Sequence, residues 1–153
     1  MKKITYLLLI LTLFAFTLNS CKKSGSNPQT AAESISLKFN GTLVSSSMPI
    51  ATYYKSQNSL QIIGAFGNTS AISLIIANGV QVGTYDLSNG DALLTYSTGA
   101  NLQDTYIGTA GNIVISTFTS TTITGNFQFT GTDLSNVTGA ITEGKFTAKL
   151  ITQ

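Results

Sequence analysis

Apolar and polar residues alternate with a period of two along most of the chain from Ser34 onward. Gly, Asn or Asp interrupts the alternation roughly every 8 to 12 residues, the spacing of antiparallel strands and their turns. The pattern predicts an all-β domain over 34–153, an antiparallel β-sandwich or partly closed β-barrel of about eight to ten strands. The predicted strands are 34–40, 50–56, 60–66, 71–77, 81–87, 92–98, 104–110, 113–119, 122–130 and 140–151.

Four Asn/Gly pairs separate predicted strands: Asn40-Gly41, Asn78-Gly79, Asn89-Gly90 and Gly111-Asn112. Both residue types tolerate positive φ, so we expect tight hairpins at these points. Pro49 is expected at a strand start or edge. The stretch 71–77 is apolar on both faces and predicts a central strand.

A glycine precedes an aromatic residue by two positions in several strands. The examples are Gly64-Ala65-Phe66, Gly125-Asn126-Phe127 and Gly144-Lys145-Phe146, with Gly83-Thr84-Tyr85 as a variant. Within each strand both residues share one face, so the ring is expected to cover the gap that the glycine leaves in a curved sheet. On the last strand Phe146, Ala148 and Leu150 are expected to face inward, and Lys145 and Lys149 to face solvent.

The first 20 residues have the pattern of a secretory signal. Lys2 and Lys3 precede an apolar run over 6–18, which is followed by polar residues. That run is shorter than the ~20 apolar residues of a membrane-spanning helix. Residues 21–33 contain no large aliphatic or aromatic side chain and are predicted to form a flexible tether.

The segment Leu18-Asn19-Ser20-Cys21 resembles the lipobox of bacterial lipoproteins. The resemblance implies a diacylglycerol thioether on Cys21, cleavage before it and acylation of the new amino group, which together would anchor the chain to a membrane. Lys22 and Lys23 then favour the outer membrane, with its periplasmic face preferred over the cell surface. The alternative is an ordinary signal peptide followed by an unmodified cysteine.

The C-terminal third carries a second resemblance. Its succession of a glycine, an apolar strand, a threonine turn, Ile123-Thr124-Gly125 with Phe127, and Ile141-Thr142 with Gly144-Lys145-Phe146 resembles the ending of uncharacterised secreted lipoproteins of the Bacteroidota. Their shared domain is of unknown function. The likeness is looser over 34–110, and it implies no catalytic residue.

The composition excludes several classes of chemistry. The chain has no His and one Cys, so internal disulfides, the common zinc sites and histidine-activated nucleophiles are excluded, and we expect no cofactor or metal. Without residues 1–20 the basic and acidic residues balance, which argues against a nucleic-acid partner. Residues 34–153 instead carry 19 Thr and 14 Ser, suited to an uncharged β surface.

Carboxylate chemistry rests on few residues. A glycoside hydrolase would need two converging carboxyl groups, and most of the available acids lie at predicted turns, so we predict that the protein is not an enzyme. These acids are Asp86, Asp91, Asp104, Asp133 and Glu143. The segment 86–91 also has some oxygen ligands of a calcium loop, but its glycine is one place early and the final Glu is absent, which favours a hairpin turn.

Tyrosines are the remaining candidates for ligand binding, as stacking platforms for sugars that reach the surface. They are Tyr53, Tyr54, Tyr85, Tyr96 and Tyr106. Tyr53 and Tyr54 must face opposite sides of one strand. The sequence thus predicts a noncatalytic binding or structural lipoprotein of the cell envelope whose partner is a protein or a glycan. The alternative is a lipocalin-like carrier of a small apolar ligand.

Overall fold

The computed structural model describes residues 32–153. Cys21, the predicted signal and nearly all of the predicted tether lie outside the described residues. Residues 32–153 form β1 (Ser34–Phe39), β2 (Thr42–Ser46), β3 (Ile50–Tyr54), β4 (Ser59–Phe66), β5 (Ser70–Ile76), β6 (Gly83–Asp86), β7 (Ala92–Ser97), β8 (Thr105–Phe118), β9 (Thr122–Thr132) and β10 (Thr138–Thr152). A 3₁₀ turn covers Leu102–Asp104. No helix in this part of the chain has the length and apolarity needed to span a membrane.

Seven strands close into a barrel in the order β3-β4-β5-β7-β8-β9-β10, and β10 pairs with β3 to complete the ring. Neighbouring strands are antiparallel except β10 and β3, which run parallel where Leu150 lies opposite Ala51. The hairpin of β1 and β2 extends from β10, and β6 pairs with β8. The predicted all-β class is confirmed, and the barrel is closed.

The hairpin predicted at Gly111-Asn112 is wrong. Gly111-Asn112 lies inside β8, which joins the predicted strands 104–110 and 113–119 into one strand of 14 residues. Gly111 has φ 134° and lies opposite Phe129 of β9, so close that a Cβ at Gly111 would lie 2.6 Å from the Phe129 Cα atom. Glycine is thus required here by a close approach of two backbones within a sheet, and no reversal of the chain takes place.

The other three predicted Asn/Gly turns agree with the structure only in part. At Asn40-Gly41 both residues have positive φ and Phe39 pairs with Thr42, as expected for a two-residue hairpin. Gly79 and Gly90 also have positive φ. The predicted turn over 86–91 does form, since the Asp91 N–H donates to the Asp86 carbonyl at 3.2 Å. The strands on either side of Gly79 and of Gly90 do not pair with each other, because β5 pairs with β7 and β6 with β8, so the tight hairpins predicted at these two positions are wrong.

The inward faces of the strands form one apolar interior. Ile72, Leu74 and Ile76 of β5 are buried, while Ile75 on its outer face is half-buried. On β10, Phe146, Ala148 and Leu150 are buried, as predicted. The sequence missed β2, whose exposed Thr42, Leu43 and Ser45 show no clear alternation of burial.

Aromatic rings fill the barrel end near the β1–β2 turn. Phe39 packs against Tyr96 and Tyr106, with ring centroids 5.0 Å apart in both pairs. Phe66 meets Tyr96 edge to face at 6.2 Å. Glycines and aromatic residues share the inner face, as expected, but on β9 and β10 each ring covers the glycine of the neighbouring strand, not that of its own.

Candidate functional site

A furrow lined by both polar and apolar side chains crosses the outer surface of β8, β9 and β10. Two adjoining open clefts of about 190 and 320 Å³ share Gln128. We name this surface the amide furrow, after Asn112, Asn126 and Gln128, which line it together with Val114, Thr130, Thr142, Glu143 and Lys145. It runs from Ala110 to Val114 along β8, about 13 Å at the usual rise per strand residue.

Strand register brings the three amides together. Asn112 of β8 lies directly opposite Gln128 of β9, and Asn126 lies opposite both Val114 and Lys145. Asn126 and Gln128 share the outer face of β9 because they are two residues apart. Within residues 32–153 the side chains of Asn112, Asn126 and Gln128 make no intramolecular hydrogen bond. Their donors and acceptors are therefore available to a ligand.

Bulges on both flanking strands shape the furrow. The register of β10 against β9 shifts between Ile141 and Gly144, where Glu143 has φ 53°. The Lys38 ammonium donates to the Glu143 carboxylate at 2.7 Å, and the two side chains form an exposed salt bridge. The register of β8 shifts between Gly108 and Ala110. Such bulges bend a strand and increase its local twist, here on either side of β9.

The structure does not bring the five predicted tyrosines together. Tyr85 and Tyr96 are buried, so the expectation that they reach the surface is wrong for both. The Tyr85 hydroxyl accepts from the Gln81 N–H at 2.7 Å and holds the loop that precedes β6. Tyr106 is half-buried in the aromatic cluster around Phe39. Burial raises the pKa of Tyr96.

Tyr53 and Tyr54 face opposite sides of β3, as predicted, and both are half-buried. Tyr53 is the predicted tyrosine that lines a cleft. Its ring meets Phe118 edge to face with centroids 5.2 Å apart, and its hydroxyl donates to Asn58 Oδ1 at 2.9 Å. We name this cleft, of about 390 Å³, the barrel-end cleft. It is lined by Tyr53, Lys55, Phe118, Thr119, Ser120, Leu150 and Thr152.

Three of the five candidate acids bind the local backbone. Asp133 accepts from the Ser135 and Val137 N–H groups at 2.8 Å, and Asp104 accepts from the Asn101 N–H. Asp86 accepts from the Ser88 hydroxyl and N–H, and these bonds hold the pKa of its carboxyl below the usual value. Among the described residues no three Cys, Asp or Glu side chains are grouped to hold a metal ion.

The closed ring of strands and its apolar interior define a small all-β barrel protein. A protein family described as Domain of unknown function (DUF6252) matches residues 29–148, most of the chain. The chain belongs to this family. Comparisons with curated proteins and with solved structures found no match.

Sequence reasoning missed the amide furrow for one identifiable reason. Gly111-Asn112 has the composition of a turn, and Asn126 is the middle residue of a glycine–aromatic pattern, so neither residue by itself indicates a polar surface. The available signal was the recurrence of Asn or Gln at outward positions of adjacent strands, Asn112, Asn126 and Gln128. That recurrence has meaning only once β8 is continuous and its register against β9 is known.

Proposed function

We propose that this protein is a noncatalytic lipoprotein of the cell envelope that binds a glycan in the amide furrow. Lipid on Cys21 would anchor it to the outer membrane, with the barrel on the periplasmic side. The observation that carries the proposal is the set of three adjacent side-chain amides, Asn112, Asn126 and Gln128, whose hydrogen-bonding groups have no partner within residues 32–153.

Amide side chains suit sugars because of their hydrogen-bonding pattern. Each carries an NH₂ donor and a carbonyl acceptor in one plane, and neighbouring sugar hydroxyls offer both an acceptor and a donor. Thr130 and Thr142 add hydroxyl groups at the edge of the same furrow. An open groove along the surface accommodates a chain that continues beyond the site at both ends.

Two other macromolecules fit the furrow less well. An extended peptide adds to a sheet through free backbone groups, but at the furrow β9 is paired on both sides, while β8 and β10 are paired with β6 and β1. A nucleic acid requires several cations. Lys145 lines the furrow, whereas Lys38 is engaged with Glu143.

Four of the five candidate acids support the noncatalytic part of the proposal. Asp86, Asp104 and Asp133 are occupied by neighbouring backbone N–H groups, and Glu143 is paired with Lys38. General acid and nucleophile roles need two carboxyl groups about 5 to 9.5 Å apart on either side of a bound sugar. The amide furrow is lined by one carboxyl group, that of Glu143.

A lipocalin-like carrier is the second candidate, and the closed barrel is the observation that favours it. A carrier holds its ligand in an interior cavity. In this barrel Phe66, Ile76, Phe127, Phe129 and Phe146 are buried in the interior. We place the carrier second because these side chains occupy the space that an interior ligand would take.

The proposal is tested by screening the purified protein against an array of bacterial envelope glycans and titrating the best glycan by NMR. We expect shifts in the side-chain amide signals of Asn112, Asn126 and Gln128. Gln128→Ala should weaken binding about tenfold, the effect of losing one or two hydrogen bonds. Thr147→Ala, on β10 outside the furrow, is the matched control and should bind normally. Absence of binding, or binding that both Gln128→Ala and Asn126→Ala leave unchanged, would refute the glycan site.

A further inference from the structure

The barrel-end cleft is separate from the amide furrow in both residues and chemistry. The two share no lining residue. The cleft lies where β3, β8 and β10 end, whereas the furrow lies on the outer face of β8, β9 and β10. Its volume of about 390 Å³ is within the range of small-molecule sites.

The walls of the cleft are apolar. Tyr53 and Phe118 meet edge to face at 81°, an arrangement that stabilises an aromatic pair. Leu150 also lines the cleft, but it is only 7% exposed, so most of the apolar surface is that of Tyr53 and Phe118. A flat aromatic ring or a short acyl chain gains free energy by covering such a surface, because apolar area is removed from water.

Hydrogen bonds hold both walls in place. The Leu150 N–H donates to the Thr121 carbonyl at 2.9 Å, which ties the β8–β9 turn to β10. The Thr119 hydroxyl accepts from the Thr122 N–H at 3.0 Å within that turn. On the other wall, the Gln153 N–H donates to the Tyr53 carbonyl at 2.9 Å. The cleft is therefore formed before a ligand arrives, which lowers the entropic cost of binding.

Polar groups lie beside these walls. Lys55 lines the cleft. Among the described residues it forms no salt bridge, whereas Lys38 pairs with Glu143. Ser120 and Thr152 add hydroxyl donors. Among residues 32–153 no Asp or Glu side chain lines the cleft, and the Lys55 ammonium favours an anion there.

We propose that the barrel-end cleft binds a small amphipathic anion, an aromatic or short acyl compound with one carboxylate or sulfonate. Its apolar body lies against Tyr53, Phe118 and Leu150, and its anionic end accepts hydrogen bonds from the Lys55 ammonium. This activity does not depend on glycan binding or on lipid at Cys21.

Two fluorescent probes with the same apolar body test the proposal on the folded, purified protein. 1-Anilinonaphthalene-8-sulfonate carries the anion, and N-phenyl-1-naphthylamine lacks it. Lys55→Glu should weaken binding of the sulfonate at least about tenfold, as expected for loss of a charge-assisted hydrogen bond. The same change should alter binding of the neutral probe less than twofold. Lys149→Glu, an exposed lysine of β10 outside the cleft, is the matched control and should affect neither probe.

Phe118→Leu keeps an apolar residue but removes the aromatic wall, so it should weaken both probes, provided that thermal unfolding shows an intact fold. NMR shift mapping of the unaltered protein gives a second measurement. The sulfonate should shift the amide signals of Ser120 and Thr152. No saturable binding by the native protein, equal effects of Lys55→Glu and Lys149→Glu, or shifts confined to other surfaces would each overturn the proposal.

Discussion

Phe146 of β10 lies directly opposite Gly125 of β9, and its ring occupies the space that a side chain at Gly125 would need. A Cβ at Gly125 would lie 2.6 Å from Phe146 Cζ. The relation is reciprocal, because Phe127 of β9 covers Gly144 of β10 in the same way. The two rings stack with centroids 6.4 Å apart. In this strand pair the aromatic ring of each strand packs over the glycine of the other, which allows both strands to curve around the barrel.

Gly125→Ala should therefore destabilise the protein strongly. The new methyl group would meet both the Phe146 ring and the backbone carbonyl of Val114, which cannot move without disturbing the β8–β9 ladder. We expect a loss of about 3 kcal/mol in the free energy of unfolding, at the upper end for overpacking. Urea unfolding measures it, with Thr124→Ala as the control, which should stay within about 0.5 kcal/mol of the parent protein. A loss below about 1 kcal/mol for Gly125→Ala would contradict the assigned contact.

Gly64→Ala should be rescued in part by a second change. A Cβ at Gly64 would lie 2.5 Å from Ile35 Cγ2, so here the obstacle is a side chain and not a backbone atom. We expect Gly64→Ala to cost about 2 kcal/mol and Ile35→Ala about 3 kcal/mol. The double variant should be less destabilised than their sum by about 1 kcal/mol, since alanine at position 35 leaves room for the new methyl group. Strict additivity in the double-mutant cycle would show that the two residues do not touch.

Tyr96 should make stability fall at alkaline pH. Burial raises the pKa of its phenol in the folded protein, whereas the unfolded phenol ionises near the usual value of about 10. Its contribution is therefore full below about pH 10 and is lost as the pH rises through the folded pKa.

Tyr96→Phe removes this ionisation, so the free energy of unfolding should decline less steeply above about pH 10 than in the parent protein. Ultraviolet difference titration of tyrosinate, together with unfolding of both proteins at several pH values, measures the effect. Equal alkaline slopes in the parent and Tyr96→Phe proteins would disprove this role.

The proposed anchor is tested at Cys21. With Cys21→Ser no thioether can form, so the protein should appear either as a soluble product or as an uncleaved precursor. Fractionation and intact mass determination distinguish these forms from the lipidated one. Membrane retention of a Cys21→Ser product of mature size would count against lipidation. The unaltered protein, which should carry the added lipid mass, is the reference.

The candidate sites show which part of a binding surface is readable from sequence. Tyr53 was a predicted ligand-binding residue, and it does line the barrel-end cleft, because a half-buried tyrosine at a strand end is a local feature. Phe118 and Leu150 were not predicted as its neighbours. They reach Tyr53 through the closure of β3 onto β10, a parallel pairing that no local pattern signals.

The sequence by itself determined the all-β class and, within most strands, which side chains face inward. Alternation is a local property: once a segment is extended, successive side chains must point to opposite faces. Phe127, Phe129, Phe146 and Leu150 all face the interior for this reason.

Only the tertiary structure decided which strands pair, that Gly111 continues a strand and that the amides of β8 and β9 share one furrow. Pairing is non-local, and it depends on which edges meet when the ring closes. Gly41 and Gly111 both have positive φ, but Gly41 forms a turn whereas Gly111 lies within a strand at a close contact with its neighbour. The physical reason is that a residue's backbone conformation sets only the local direction of the chain. Whether the chain reverses or continues there depends on hydrogen bonds with a partner strand that is distant in sequence.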